Sequence, residues 1–438
     1  MLKFTHTREL GGKIGTAEGG VNEIVFVQGF VQALRVQSKI IFLILRDITG
    51  LAQVVITAES SEFERAKELT LESVVRIGGR VVEAKQAPNG VEIQISSLQI
   101  LSMAEPELPI PVVTIKGGEE TEAPARFDHR WIDLRKPEKA KIFKIWTELE
   151  RGFRKYWLDN NYIQLYPPAL MNVPSESGAE VFEVKYFEGK AYLAQSPQFY
   201  KQMGIASGFE RVFMTGPVFR AEPSFTTRHL TEFTGWDFEV GYVESHHDVM
   251  DEEEQFIISG FKQVALRMPE LNITIPIAPF PRITMLEAKK ILAERGVVSG
   301  EEHDLSPEEE RVISEYVKEK HNHEFVFIHE YHKSKSAFYH MRTEIGSDYS
   351  RRADLLYNGL EITTLAQREH RPDVLTKQAQ EKGMDLDALR DYISFFKFGC
   401  PPHGGGGIGP GRIVMQILEL PNVREATFLP RDVKRLNP

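Results

Sequence analysis

The chain has 438 residues, 42% of them hydrophobic and 26% charged, and carries a formal net charge of −10. Such values predict a globular, water-soluble protein of two or three domains, and the acidic balance argues against a general polyanion binder. A single cysteine, Cys400, excludes an internal disulfide and a cysteine-based zinc site.

No signal-like segment opens the chain and no apolar run is long enough to cross a bilayer, so a cytoplasmic protein without membrane contact is expected. Residues 1–104 balance their charges and leave the acidic excess to the remainder, which makes the N-terminal part the easier place for a nucleic acid.

That N-terminal part reads as short strands: NEIVFVQGFVQAL, KIIFLILRD, LAQVVIT, SVVRIGGRVVEAK and VEIQISSLQIL, with one helical stretch, SEFERAKEL, between the third and fourth. Five β-rich segments with a helix after the third predict the small Greek-key barrel known as the OB-fold over 1–104. Such barrels bind single-stranded oligonucleotides across their second and third strands. Residues 105–130 are proline-rich and aperiodic and are expected to be a linker or hinge.

A second domain fills 131–438. A long helix starts near Pro137, and Ile142, Ile145, Trp146, Leu149, Phe153, Tyr156 and Trp157 give it one apolar face. YIQLYPPALM and the hairpin VFEVKYFEGKAYLAQ follow, then a helix with Ser196 as its cap before Pro197. Residues 281–340 read as a helical insertion. RADLLYNGLEITT is a hairpin that turns at Asn358-Gly359, and PPHGGGGIGPGRIVMQILELP comes last. Strands interrupted by helices, without strand–helix alternation, predict an α+β class: an OB-fold barrel followed by an antiparallel sheet flanked by helices.

Several constellations can carry chemistry. Gly404, Gly406 and Gly409 satisfy G-x-G-x-x-G, yet CPPH rather than a strand precedes them, so a dinucleotide fold is excluded. What remains is a glycine-rich approach to a helix N-terminus with Arg412 in its first turn, suited to a phosphate; a flexible turn is the alternative. Asp354 and Glu361 fall diagonally on one face of the Asn-Gly hairpin, which suits Mg²⁺ held between substrate phosphates, or else a solvated face.

On the strand over 230–243, Phe233, Gly235, Asp237, Glu239 and Gly241 share a face. An aromatic followed by acids and glycines reads as a cleft floor, where a ring stacks and a carboxylate meets an ammonium. Gln198 and Lys201 point together from one helix. FRAEPSFTTRHLTEF, residues 219–233, puts Arg220, Glu222, Arg228 and His229 in one loop, whose plain reading is a solvated turn. His246, His247, His321, His323, His329 and His332 form no H-E-x-x-H and are expected at the surface.

Together these segments resemble a known family. GPVFRAEPSFTTRHLTEF is similar to motif 2 of the class II aminoacyl-tRNA synthetases, NYIQLYPPAL to motif 1 and GGGGIGPGRIVM to motif 3. The OB-fold and QSPQFYKQ narrow the resemblance to subclass IIb, and there to the aspartyl-tRNA synthetases of archaeal and eukaryotic type, nearly end to end. It implies ATP-dependent activation of L-aspartate to aspartyl-adenylate with Mg²⁺, transfer to tRNA(Asp), and a homodimer built around the motif 1 proline, Pro168.

The resemblance also implies roles. Arg220 would grip the α-phosphate of ATP and Arg412 the γ-phosphate, with Glu222 and His229 orienting the adenylate end, Phe233 stacking on adenine, and Arg228 in the same ATP site. Asp354, Glu361 and Thr364 match metal positions. Strict alternation sets Thr364 and Glu361 on opposite faces, so a bulge or strand end must come between them. Gln198, Lys201, Asp237, Thr364 and Arg368 match the aspartate pocket, and Glu176 the loop that closes over it.

In the barrel, Phe42 and Gln53 match positions that stack on and hydrogen-bond to anticodon bases. Gln32 stands where strict archaeal enzymes have Trp, and Pro88 in a loop where they have a Lys, so charging of both tRNA(Asp) and tRNA(Asn) is expected. Two departures go the other way: Gly411 precedes Arg412 where Glu is usual, and Leu365-Ala366 replace smaller residues, with Leu365 narrowing the amino-acid pocket. An asparaginyl enzyme, which Lys201 opposes, and a non-catalytic paralogue that binds RNA or an adenylate remain the alternatives.

Overall fold

The computed structural model describes residues 4–13, 24–113, 120–174, 180–223 and 226–438. The chain divides into two compact units, Met1–Ala140 and Lys141–Pro438. Among the described residues no helix is long and apolar enough to cross a membrane.

In the first unit, β1 (Ile24–Val36), β2 (Ile40–Arg46), β3 (Leu51–Thr57), β4 (Val74–Glu83) and β5 (Val91–Ser102) close a barrel in the order β1-β2-β3-β5-β4, with helix α1 (Phe63–Lys67) between β3 and β4. This is the OB-fold the strand pattern predicts. Period-two alternation builds it: Ile41, Leu43 and Leu45 of β2 and Val54 and Ile56 of β3 fill the interior. Phe42 and Ile44 face outward opposite Val55 and Gln53. A bulge between Val31 and Ala33 leaves Gln32 outside the β1–β2 register.

The stretch expected as a linker is only partly one. Helix α2 (Ala123–Asp128) lies within it and α3 (Arg130–Asp133) follows at once, while Ile110, Val112 and Ile132 make a small apolar cluster. Arg126, Arg130 and Lys136 converge on the buried carboxylate of Asp133. The first compact unit includes this stretch and runs to residue 140.

The second unit is entered through α4 (Pro137–Asp159), which buries the expected face through Ile142, Ile145, Leu149, Phe153 and Trp157. Then come β6 (Ile163–Gln164), β7 (Leu170–Met171), β8 (Glu183–Tyr186), β9 (Gly189–Leu193), α5 (Gln198–Ala206), β10 (Arg211–Phe219), β11 (Glu232–Gly241) and α6 (His246–Arg267). Next are β12 (Arg282–Thr284), α7 (Met285–Glu294), α8 (Pro307–His321), β13 (Phe325–His329), β14 (Arg352–Tyr357) and β15 (Leu360–Gln367). The last elements are α9 (Pro372–Glu381), α10 (Arg390–Phe396), β16 (His403–Ile408) and α11 (Pro410–Ile417).

Among the described residues, eight strands form the main sheet in the order β12-β13-β14-β15-β16-β11-β10-β6, and β7, β9 and β8 form a small side sheet. The six central strands are antiparallel, as expected, but β12 and β6 join the two edges in parallel. Residues 281–340 also need correction. They hold helices α7 and α8, yet they supply two strands of the main sheet as well. The run FVFIH is buried on both faces, Phe325 and Phe327 against the main core and Val326 and Ile328 against α7 and α8. A strand covered on both sides shows no alternation, which hid it.

Candidate active site

A cleft of about 850 Å³ opens beside β10, β11, β15 and β16. Phe233, Gly235 and Asp237 of β11 line its floor, as alternation along that strand predicts. The glycines expected to approach a helix as a turn are instead strand β16, paired with β11 on one side and β15 on the other. A Cβ on Gly405 would collide with the Phe238 carbonyl and the Glu239 carboxylate, so this close approach requires glycine.

At one end of the cleft four buried charges interlock. The Lys201 Nζ donates to Asp237 Oδ2 at 2.7 Å and to the Gly406 carbonyl at 2.9 Å. The Arg368 Nε donates to Glu239 Oε1 at 2.9 Å, and its Nη2 to the Gly405 carbonyl at 2.6 Å. Glu239 Oε2 lies 3.6 Å from Lys201, so this carboxylate bridges both cations. The sequence placed Glu239 on the right face without a task; its task is to hold Arg368.

Gln198 donates to Gln202, which also accepts from the Tyr392 hydroxyl and lies 2.9 Å from His403 Nε2. Gln202, Tyr392 and His403 come from distant segments and left no sequence signal. Ser196 accepts the Gln198 amide at 3.3 Å, although Pro197 is the residue at the cap. Glu176 lies outside the described residues.

At the other end, Arg220, Glu222, Arg228, His229 and Phe233 of the loop line the cleft together with Arg412. The guanidinium of Arg220 sits over the Phe233 ring, 5.5 Å from its centroid. Arg412, in the first turn of α11, donates to the Glu361 carbonyl at 2.8 Å. Burial, with Arg412 adding to it, pulls His229 below the ordinary imidazole value and favours the neutral ring. Arg228 is held at 2.8 and 3.0 Å by both oxygens of Glu310, from α8. Burial pushes Glu310 up to about 7, Arg228 opposing and Glu361 adding. Nothing in the sequence joins these two residues across 82 positions.

The hairpin carboxylates are only partly brought together. A bulge between Leu355 and Leu356 sets Leu356 opposite Glu361 and Asp354 opposite Thr364. The Thr364 hydroxyl thereby reaches Glu361 Oε1 at 3.2 Å, and both residues line the cleft. Asp354 does not line it; Arg352 clamps its two oxygens at 3.1 and 2.6 Å. Burial holds Asp354 above the usual carboxylate range, with Arg352 opposing and Glu361 adding. For Glu361 burial also pushes upward, but Arg412 and Arg352 outweigh it and hold the group low.

Of the two departures, one differs from expectation. Leu365 is fully buried in the main core, on the face away from Thr364, and does not line the cleft. Gly411 lines the cleft beside Trp146. The histidines are not all at the surface either: His246 and His329 are buried.

On the barrel, Phe42 is half-buried and faces Arg35 and Val55 across the strands. Gln53 donates to Glu92 at 2.9 Å, Gln32 accepts from Arg46 at 3.2 Å, and Pro88 sits in the turn before β5. Pro168 is exposed between β6 and β7.

Comparison with known proteins bears on both units. Residues 122–433 match the model of the class II tRNA synthetases for D, K and N, and residues 25–101 that of an OB-fold nucleic acid binding domain. The chain is 41% identical to an aspartate–tRNA(Asp/Asn) ligase of Aeropyrum pernix, covering 97% of this chain and 98% of that one. It is 38% identical to an aspartate–tRNA(Asp) ligase of Thermoplasma volcanium, over 95% and 97%. Among solved structures, the asparaginyl-tRNA synthetase of Pyrococcus horikoshii with bound asparaginyl-adenylate superposes with a TM-score of 0.91 at 31% identity, covering all of both chains.

Proposed function

Because the chain belongs to the class II tRNA synthetases of the aspartate, lysine and asparagine group, we propose that it activates L-aspartate with ATP and transfers the aspartyl group to tRNA, accepting both tRNA(Asp) and tRNA(Asn). The observation that carries the choice of amino acid is the pair of buried cations, Lys201 and Arg368, lining one end of the cleft. A substrate side-chain carboxylate gains charge-assisted hydrogen bonds from them, and Asp237 is the counter-charge for its ammonium. Asparagine would set a neutral amide against the same cations and lose the charge-assisted contact that the carboxylate makes, at a cost of about 1–3 kcal/mol.

Catalysis is positioning and charge neutralisation. The α-carboxylate of aspartate is already ionised and attacks the α-phosphorus in line as its bond to the bridging oxygen breaks and pyrophosphate leaves, so no general base is needed. Phe233 stacks on the adenine, and Arg220 above it meets the charge that grows on the α-phosphate. Arg412 and Arg228 take the outer phosphates, with Glu222 and His229 at the adenylate end. Mg²⁺ fits Glu361 and Thr364, two oxygen donors on the cleft wall, and would neutralise phosphate charge there; Asp354 could join only if Arg352 released it. Glu176 is proposed to lie on the loop over the amino acid.

For the RNA, Phe42 and Gln53 on the outer barrel face supply a stacking ring and a hydrogen-bonding group, with Gln32 and Pro88 at their edge. A homodimer is proposed around Pro168, where Ile163, Tyr166 and Leu170 are all exposed; sedimentation at micromolar concentration tests it, a monomer counting against it.

A second reading, asparaginyl transfer, is favoured by the likeness to the Pyrococcus horikoshii enzyme and opposed by Lys201. ATP–pyrophosphate exchange decides: the proposal expects exchange with aspartate and little with asparagine. Exchange with asparagine alone favours the second reading, and exchange with neither favours a non-catalytic paralogue.

A further inference from the structure

We propose that His246, His247 and His329 form a binding site for one divalent transition-metal ion of the zinc class, on the face of the main sheet away from the ATP cleft. His246 and His247 open α6, directly after its cap Ser245, and His329 ends β13. Phe325, Phe327 and His329 alternate onto one face of β13, the face on which Phe325 packs against Phe261 of α6. The three rings therefore meet where the helix N-terminus crosses the strand end.

The geometry is that of a set one small adjustment from closure. One ring nitrogen from each histidine lies within 4.8 Å of one from each of the others. Zinc–imidazole bonds of about 2.0–2.1 Å in a tetrahedron require nitrogen–nitrogen separations of roughly 3.3–3.4 Å. His246 Nε2 and His329 Nδ1 already stand 3.2 Å apart. His246 and His329 are buried and His247 is half-buried, so the rings are shielded without being sealed from an entering ion. Burial lowers all three imidazoles from their ordinary value, and neutral rings are the form that ligates.

Charges around the rings decide whether a cation is welcome. Arg282 lies 3.3 Å from His247 Nδ1, but Asp251 and Glu254 both accept from that guanidinium and take up its charge. Arg351 acts on His246, while Asp248, Glu287 and Glu330 add negative charge near His247 and His329. Glu330 follows β13 with φ of 61°, a conformation unusual for a side chain other than glycine, and its Oε1 stands 4.0 Å from His329 Nδ1. It is the group placed to supply a fourth, oxygen ligand. Three imidazoles and one carboxylate or water suit zinc and also admit cobalt(II), whose absorption reports geometry.

The test uses the full-length protein, expressed with zinc and dialysed against a weak chelator, then stripped and titrated with cobalt(II). About one zinc per chain and the visible absorption of tetrahedral cobalt are expected. His247→Ala, a half-exposed and mild change, should weaken cobalt binding at least tenfold, and His329→Ala should abolish it. His332→Ala, outside the cluster, should leave it intact. Zinc should also raise the unfolding temperature of the parent chain and not that of His247→Ala. A chain that holds no zinc, or cobalt binding that His247→Ala leaves unchanged, overturns the proposal and makes the 3.2 Å contact a plain hydrogen bond between neutral rings.

Discussion

Lys201, Asp237 and Arg368, which line the cleft, and Glu239, which bridges the two cations, are each no more than 6% exposed, and each is held by an opposite charge. On the outer face of the barrel, Phe42, Gln32 and Gln53 are half exposed, and each of the two glutamines makes one hydrogen bond to a neighbouring side chain. The floor is thus preorganised: its charges are desolvated during folding, and a ligand exchanges one fixed counter-ion for another. The barrel face keeps its contacts open to water, and a partner can alter them at little cost. Selection of the amino acid should therefore be coupled to stability, and selection of the RNA should not.

The sharpest way to break this contrast is Lys201→Met. Removing the ammonium leaves Asp237 buried beside Glu239, and loss of one partner of a buried pair costs about 3–5 kcal/mol. Aspartate-dependent exchange should fall by roughly a thousandfold or more, given both the lost contact and the carboxylate repulsion. Adding Asp237→Asn should restore much of the stability, read by urea unfolding, without restoring exchange. If Lys201→Met unfolds within about 0.5 kcal/mol of the parent, the floor is not the rigid element described.

Arg220→Ala is the next largest effect. Its side chain is 41% exposed and lies over Phe233 rather than in a buried pair. Exchange should fall on the order of 10²–10³-fold while the unfolding midpoint barely moves. Near-normal exchange would remove Arg220 from the reaction. Phe42→Ala follows: a lost base stack of about 1–3 kcal/mol lowers aminoacylation roughly five- to 150-fold for both tRNAs and leaves exchange alone. A change in exchange would show that the barrel face is not confined to RNA.

Glu310 gives a smaller, pH-dependent effect. Its folded value of about 7 stands above the ordinary 4.5, so between these limits the folded chain binds the extra proton and stability declines as pH rises. Above about pH 7 the ionised carboxylate holds Arg228; below it the protonated group holds Arg228 less, and under the proposed function Arg228 is then freer to meet ATP. The KM for ATP should rise severalfold from pH 6 to pH 8, and Glu310→Gln should flatten that rise; a profile unchanged by the substitution would disconnect Glu310 from the nucleotide.

Legibility followed the same division. Alternation exposed the barrel and the face of β11, and Gln198 and Lys201, three apart on one helix, line the cleft together, whereas Thr364 reaches Glu361 only through the bulge that strict alternation required. Partners that pair across the fold did not show: Glu239 with Arg368, Glu310 with Arg228, and Gln202 with His403. A carboxylate in a helix such as SPEEERV looks solvated until the helix is docked. The run of glycines reads as a loop in one dimension because close approach on both sides, the reason for it, is a property of the sheet. Asp354 shows the opposite failure, since spacing put it in a metal pair and Arg352, two residues away on the same face, claimed it.

The smallest expected effect tests the barrel side of the comparison most finely. The anticodons for aspartate and asparagine differ only at the third base, cytosine against uracil, an amino donor against a carbonyl acceptor. Arg46 pairs with Glu72 at 2.9 and 2.7 Å and also donates to the Gln32 oxygen, so that carbonyl is drawn toward the guanidinium and the amide hydrogens are left to the base. Donors suit uracil at least as well as cytosine, which agrees with charging of both tRNAs. Gln32→Glu replaces those donors by a carboxylate that still meets Arg46 and offers the base an acceptor instead. One hydrogen bond of about 0.5–1.5 kcal/mol then shifts the ratio of kcat/KM for the two transcripts roughly two- to twelvefold toward tRNA(Asp), with exchange unchanged. A parent enzyme that already prefers tRNA(Asp) by about a hundredfold or more, well beyond what one such bond supplies, would rule out relaxed selection, and a ratio unmoved by the substitution would take Gln32 away from the third base.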